Sequence, residues 1–337
     1  MKVQLKKAQV HLTNKCNLKC IFCDIPIRYR GCVDLEDEKF IQVTKELCEL
    51  KPEIITISGG GEPLLRPKLI SFMVKSFHSY GIESEIITNG VLITDKIAKI
   101  IAECSSLYKV SLHSTSVKLD EFLRGVRGSL KMSFEGIKKV AKWKAKMKKD
   151  KPEISIVMVL TKHNINEIEK MIKIASKFKV NKISLRIAHK YGEIYKPDSF
   201  QFRYLQKNMK HFEDLAKRKN IVLDQDFLPE VLEIEDNDKE NKWREKYEDK
   251  SPFCTLPFNE MVIFADGRVA PCCIFLNVPE TIFPVESIKN KTLKNIWFGE
   301  RFNELRESML KRHMKKIPEM CIECSIDLKS IDKKYRK

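Results

Sequence analysis

The chain has 337 residues, 43% hydrophobic and 32% charged, enough to bury a large core and to divide into one large and one small unit. It has no run of about 18 apolar residues that would read as a transmembrane helix. The basic N-terminal stretch MKVQLKKAQVHL also lacks the long apolar core and small-residue cleavage site of a secretory signal, so a cytoplasmic protein with no membrane span is expected. A formal net charge of +17 would suit a polyanionic partner. Lysine is spread along helical faces, however, as in residues 138–151, where Val140, Trp143 and Met147 are spaced to face inward. With no recognisable binding module, nucleic acid is not the expected partner.

In chain order, residues 3–12 alternate enough to form a first strand. Asp34 reads as the N-cap of a helix running to about residue 50, with Phe40, Val43, Leu47 and Leu50 on one face. A buried strand follows over 54–58, then a helix near 67–80, a strand near 83–88, and Asn89-Gly90 as a turn. A helix over 94–104 leads to a strand over 108–114. Residues 120–140 carry helical patterns interrupted at Gly125 and Gly128. A β-branched strand over 154–160, a helix over 165–178 and a strand over 182–187 complete six strands alternating with helices. That alternation is the pattern of a parallel α/β sheet closed or partly closed into a (β/α)6 barrel of TIM type.

Eleven cysteines without an export signal argue for metal ligation rather than disulfides. Cys16, Cys20 and Cys23 follow the first strand at a spacing of three and two intervening residues. Three thiolates on one loop can hold three irons of a cubane cluster, which needs four ligands, and leave one iron open. Zinc in a structural site wants four protein ligands, and none lies close behind. Gly59, Gly60, Gly61, Glu62 and Pro63 end the second strand. These glycines permit a ligand to approach backbone, or simply make a tight turn.

The Cys-x3-Cys-x2-Cys spacing with aromatic Phe22 before the third cysteine, followed one strand-helix-strand unit later by Gly60-Gly61-Glu62-Pro63, resembles the radical S-adenosylmethionine (SAM) superfamily. The resemblance implies a [4Fe-4S] cluster on Cys16, Cys20 and Cys23 whose open iron chelates SAM. It also implies that the glycine segment lies along the methionine end and engages its ammonium group, with Phe22, Gly60, Gly61 and Glu62 among the SAM-binding positions. Ser111 and Arg124 are the counterparts of the family's ribose and carboxylate contacts, and Arg186 is a further SAM or substrate candidate. His113 stands where the family often has Asp, and reads equally as a substrate-facing or an ordinary hydrogen-bonded histidine.

Beyond residue 190 the pattern changes. A mixed-charge helical stretch near 199–219 and an acidic, then mixed segment around 230–250 read as a connection, giving a barrel over 1–198, a linker over 199–250 and a small α+β unit over 251–337. There Asp266-Gly267 signals a hairpin that brings Cys254 and Cys272 together, and a helix over 293–314 containing Trp297 delivers Cys321 and Cys324. Four thiolates enclose a structural zinc or a cluster equally well on spacing alone. The Cys-x12-Gly-x4-Cys segment, the intervening helix and the closing Cys-Ile-Glu-Cys resemble the SPASM/twitch extension of radical SAM proteins, here in the shorter twitch form with one auxiliary [4Fe-4S] cluster. Cys273 could substitute for Cys272. Cys48 and Cys104 read as packing residues.

The resemblance implies reductive cleavage of SAM to a 5′-deoxyadenosyl radical that abstracts hydrogen from a substrate carbon, with electrons from a donor such as flavodoxin or ferredoxin. A fully ligated second cluster favours substrate oxidation. A thiol opposite the radical, Cys273 or Cys32, would instead make the reaction an epimerisation. Twitch relatives act on carbohydrate-type substrates and SPASM relatives often modify peptides. The short stretch before Cys16 weighs for a small polar substrate over a peptide or protein side chain, and the intact motifs weigh against a non-catalytic electron-transfer protein.

Overall fold

A computed structural model of the chain describes residues 2–23, 33–188, 194–225, 254–273, 275, 285–311, 313, 316–318 and 321. Six strands, β1 (Lys7–His11), β2 (Ile54–Ser58), β3 (Glu83–Thr88), β4 (Leu107–Ser111), β5 (Glu153–Leu160) and β6 (Lys182–Ile187), lie side by side in chain order, every neighbouring pair parallel. The helices between them are α1 (Asp37–Leu50), α2 (Pro67–Ser79), α3 (Asp95–Cys104), α4 (Val117–Arg124), α5 (Ser129–Lys146) and α6 (Ile168–Lys177).

Alternation along the strands divides the sheet into two chemically different faces. Ala8, Val10, Ile55, Ile57, Tyr108 and Val110 are fully buried in the core beneath the helices. The opposite face is polar and tied together across strands. Gln9 Nε2 donates to Ser58 Oγ at 2.7 Å, Thr56 Oγ1 donates to Glu85 Oε2 at 2.7 Å, Lys109 pairs with Glu85, and Arg186 Nη2 pairs with Asp224 Oδ2 at 2.9 Å. A parallel sheet covered by helices on one side and carrying hydrogen-bonded polar side chains on the other has the layout of a partly closed barrel.

The sheet extends beyond the six expected strands at both ends. Helix α7 (Ser199–Arg218) leads into β7 (Val222–Gln225), which pairs parallel with β6. Both fall in the stretch read from sequence as a connection. At the other end α8 (Leu256–Asn259) opens into β8 (Glu260–Ile263), which pairs parallel with β1 and antiparallel with β9 (Arg268–Ala270). The β8–β9 hairpin turns at Gly267, φ +93°, as Asp266-Gly267 predicts. With β10 (Glu286–Ser287) the order is β10-β9-β8-β1-β2-β3-β4-β5-β6-β7, an open sheet whose outer strands are β10 and β7. The C-terminal hairpin is therefore joined to the barrel by main-chain hydrogen bonds.

Two sequence expectations need correction. Asp34 does not cap α1; the N-cap is Glu36, with no side-chain cap bond, and the Asp34 carboxylate instead accepts from Thr13 Oγ1 and from the Asn14 N–H at 3.0 Å. The single helix expected over 293–314 is two, α9 (Leu293–Trp297) and α10 (Glu300–Lys311). A side chain at Gly299 would meet the Asn295 carbonyl at 2.5 Å, so the glycine lets the chain turn sharply after Trp297. By contrast Gly125 and Gly128 break the helical stretch as expected, with φ +67° and +75°.

Trp297 is fully buried, and the Arg306 guanidinium stacks 4.3 Å above it while Nε donates to the Pro257 carbonyl at 2.8 Å. This stack joins α10, α9 and α8. Trp297→Ala should cost about 3–5 kcal/mol of stability, read as a fall in the denaturant midpoint with an unchanged slope. No helix among the described residues is long and apolar enough to cross a membrane.

Candidate functional site

The cysteine loop leaves the C-terminal end of β1, the end of a parallel sheet where functional loops collect. It is gripped by backbone on two sides. On one, the Gly61 and Glu62 N–H groups donate to the carbonyls of Thr13 and Lys15, both at 2.8 Å; on the other, the Lys19 and Ile21 N–H groups donate to the carbonyls of Arg124 and Leu123, both at 3.0 Å. The second grip uses carbonyls at the C-terminus of α4, which lack partners within their own helix. The glycines are where contact is closest. A Cβ on Gly61 would lie 1.9 Å from the Lys15 carbonyl oxygen, one on Gly60 would lie 2.3 Å from Asn14 Oδ1, and one on Gly125 would lie 2.7 Å from the Lys19 carbonyl oxygen.

Within this grip Cys16 is exposed and Cys20 and Cys23 are half-buried. The Leu18 N–H donates to Cys16 Sγ at 3.4 Å, and Asn89 Nδ2 approaches it at 4.0 Å. Burial, with the neighbouring Cys23 and Cys16 sulfurs acting in the same direction, pushes the Cys20 thiol up to about 12. Three crowded thiols of this kind ionise when a multiply charged metal centre takes up their charge. A tetrahedral zinc draws its sulfurs to within about 4 Å of one another, whereas a cubane places each thiolate on a separate iron. The donor set and the glycine cradle fit a cluster with a small ligand beside it.

Glu62 faces inward. Its carboxylate, 2% exposed, accepts from Thr88 Oγ1 at 2.6 Å, from the Asn89 N–H at 2.8 Å and from the Leu64 N–H at 2.9 Å. Burial raises its pKa and these donors oppose the rise. The side chain is thus a strut fixing the glycine segment to the end of β3, leaving that segment's backbone to meet a ligand. Arg124, with Ser111 the expected counterpart of the family's ribose and carboxylate contacts, is likewise turned inward and fully buried. It pairs with Asp120 at 3.5 Å and donates to Ser133 Oγ at 3.0 Å and the Asn89 carbonyl at 2.8 Å. With no accessible surface, the guanidinium braces α4 and α5 behind the cysteine loop.

Asn89, which sequence reads only as a turn, is the hub of this knot. Its N–H, carbonyl and side chain reach Glu62, Arg124, Ser133 and Asn17. The one local signal for it is its position at a strand end opposite the glycine segment. His113 is buried and neutral, its pKa lowered to about 3 by burial and by the Arg124 guanidinium. Its Nδ1 accepts from the Val159 N–H at 3.1 Å, and its ring meets Phe22 edge-on at 4.9 Å. His113 therefore supports the wall behind Phe22. Ser111 ends β4, half-buried on the polar face, and Arg186 is committed to Asp224 and the Leu185 carbonyl.

In the C-terminal region Cys254, Cys272 and Cys321 all pack against one apolar cluster that includes Phe258, Phe264, Leu305 and Met309. Three of the four expected ligands thus flank a common core. Cys273 is exposed and outside that contact; Cys324 and Cys32 lie outside the described residues.

Two predictions follow from this geometry. Gly61→Ala should lower iron from about eight per chain, the content of two four-iron clusters, to about four; unchanged iron would contradict the clash with Lys15. His11, like His113, is neutral, its pKa lowered to about 4 by burial and only partly restored by the Asp266 carboxylate. Because the unfolded chain protonates both near pH 6.5 while the folded chain does not, stability should fall as pH drops below 6.5. The slope should be at most about 2.7 kcal/mol per pH unit for two protons, and smaller in His11→Gln.

Comparison with known proteins agrees with this arrangement. Residues 10–175 match the profile of the radical SAM superfamily and residues 254–325 that of an iron-sulfur cluster-binding domain, SPASM. The chain is 24% identical, over 90% of its length and 83% of the relative's, to the tungsten-containing aldehyde ferredoxin oxidoreductase cofactor-modifying protein of Pyrococcus furiosus. It is 23% identical, over 93% of its length and 78% of the relative's, to the PqqA peptide cyclase of Ruegeria pomeroyi. In fold it is similar to Streptococcus suis SuiB, solved with its precursor peptide SuiA, at TM-score 0.67 and 20% identity, over 90% of this chain and 67% of that one.

Proposed function

Since the chain belongs to the radical SAM superfamily and carries a C-terminal SPASM domain, with SAM and two [4Fe-4S] clusters as its cofactors, we propose that it is a maturase, abstracting hydrogen from a residue of a peptide or protein substrate. This departs from the small polar substrate expected from sequence. The observation that carries it is the similarity to a peptide cyclase over 93% of the chain, barrel and cluster region together. The open sheet, with β7 and β10 at its outer ends, supports it, since an unclosed concave face admits an extended polypeptide.

In this reading Cys16, Cys20 and Cys23 hold the first cluster, and Cys254, Cys272, Cys321 and Cys324 the second. Cys272 is favoured over Cys273 because it packs on the same core as Cys254 and Cys321. When bound, SAM and the reduced first cluster supply a 5′-deoxyadenosyl radical for hydrogen abstraction, and the second cluster supplies an electron acceptor. The backbone of Gly60 and Gly61 would hold the amino-acid end of SAM, and Ser111 at the end of β4 would hold its nucleoside. Phe22, seated on His113 at 4.9 Å, keeps water from the cluster side, which a reactive radical requires. A low-potential donor of the ferredoxin or flavodoxin type delivers the electron.

Anaerobic protein with SAM and dithionite should release 5′-deoxyadenosine, and Cys16→Ala should reduce the release to background. With candidate peptides deuterated at side-chain and α carbons, label should appear in 5′-deoxyadenosine. Label arriving from a small sugar or cyclitol and from no peptide would replace the maturase reading with the small-substrate one.

A further inference from the structure

Beside the cysteine loop the described residues include exposed apolar rings. Phe122 is 50% exposed on α4, the helix whose Leu123 and Arg124 carbonyls grip the loop. Its ring meets His163 edge-on at 5.1 Å, and His163 lies 6.1 Å from Tyr195. The Lys162 N–H donates to the Tyr195 carbonyl at 2.8 Å, and Gln201 Nε2 donates to the Lys162 carbonyl at 2.8 Å. The loops after β5 and β6 and the start of α7 are thereby laced together, with Phe200, 72% exposed, beside them. All these segments follow the C-terminal ends of strands, so the rings form a rim on the face where the cysteine loop lies.

Among the described residues the charge around the rim is net positive. Lys118, one helical turn before Phe122, Lys162 and Arg203 are exposed, and none is in an ion pair with a described residue. Among the described residues fewer acids lie nearby: Asp198, which accepts the Gln201 N–H, and Glu121, which accepts the Gly128 N–H, keep their charge, and Glu167 is offset by Lys170, so that with Lys196 the cations are in excess. A partner that neutralises these cations and covers these rings must be acidic and carry apolar side chains. The rings stand at 78° and 51° to one another rather than offering parallel faces, which favours side-chain insertion over base stacking.

We propose that the Phe122–His163–Tyr195 rim, with Phe200 and the flanking lysines, docks an acidic segment of the substrate polypeptide through an aromatic or aliphatic side chain. The proposal rests on the maturase reading and adds the chemistry of the segment recognised.

The test uses the full, cluster-loaded chain and a fluorescein-labelled peptide of glutamates with two phenylalanines, beside its lysine counterpart, followed by anisotropy. The acidic peptide should bind, more weakly as salt rises, and the lysine peptide should not. Lys162→Glu and Phe200→Ser should each weaken binding by about tenfold or more while leaving iron content and substrate-free 5′-deoxyadenosine release unchanged. Equal binding in wild type and variants, or no binding, overturns the proposal. So does tighter binding of oligouridylate, or a dimer lost in Phe200→Ser, which would assign the rim to nucleic acid or to a second copy. Deuterium transfer from peptides reports separately on the maturase reading, so the two can fail independently.

Discussion

Everything at the catalytic end of this protein depends on how one loop is held. The segment carrying Cys16, Cys20 and Cys23 contributes few apolar side chains of its own, and its conformation is fixed by four main-chain hydrogen bonds, two from the Gly61-Glu62 segment and two to the end of α4. Backbone can approach this closely only where no side chain intervenes, and Gly61 and Gly125 supply that condition on the two sides. The grip is made of groups that carry no net charge. The charged side chains that act on Cys16 and Cys20, those of Glu62, Arg124 and Asp120, stand behind that grip and not in it.

Behind the grip lies a buried polar knot. Glu62, Arg124, Asp120, Asn89, Thr88 and Ser133 are inaccessible and mutually hydrogen-bonded or ion-paired. Buried charges of this kind are costly unless their partners are fixed, and here the fixing does structural service. The knot locks the end of β3, the glycine segment and α4 into one body, so the two sides of the grip cannot move independently. The same design continues outward: the Asp34 carboxylate holds Thr13 and Asn14 at the loop's entry.

The sequence makes some of this plain and hides the rest for physical reasons. Strands such as residues 154–160 announce themselves because β-branched residues alternate with the period of a sheet, and the cysteine triplet and Gly-Gly-Glu-Pro are local spacings. Sheet order is not local. That β8 would pair in parallel with β1, separated by most of the chain, is set by tertiary packing that no window of residues records. The inward turn of Glu62 and Arg124 is hidden for the same reason, since besides their local partners each reaches a distant one, Thr88 at 26 residues from Glu62 and Asn89 at 35 from Arg124. Asn89 looks like an ordinary turn residue until β3 and the glycine segment are brought together.

In the proposed function the loop supplies three thiolates and leaves the fourth position to SAM. The most direct test is electron-nuclear double resonance on the reduced protein with SAM labelled by nitrogen-15 at the amino group and oxygen-17 at the carboxylate. Hyperfine couplings from both labels, lost in Cys20→Ala, are the predicted result. Their absence in a protein that binds SAM and holds both clusters would mean that a protein side chain fills the fourth position, and would contradict the account.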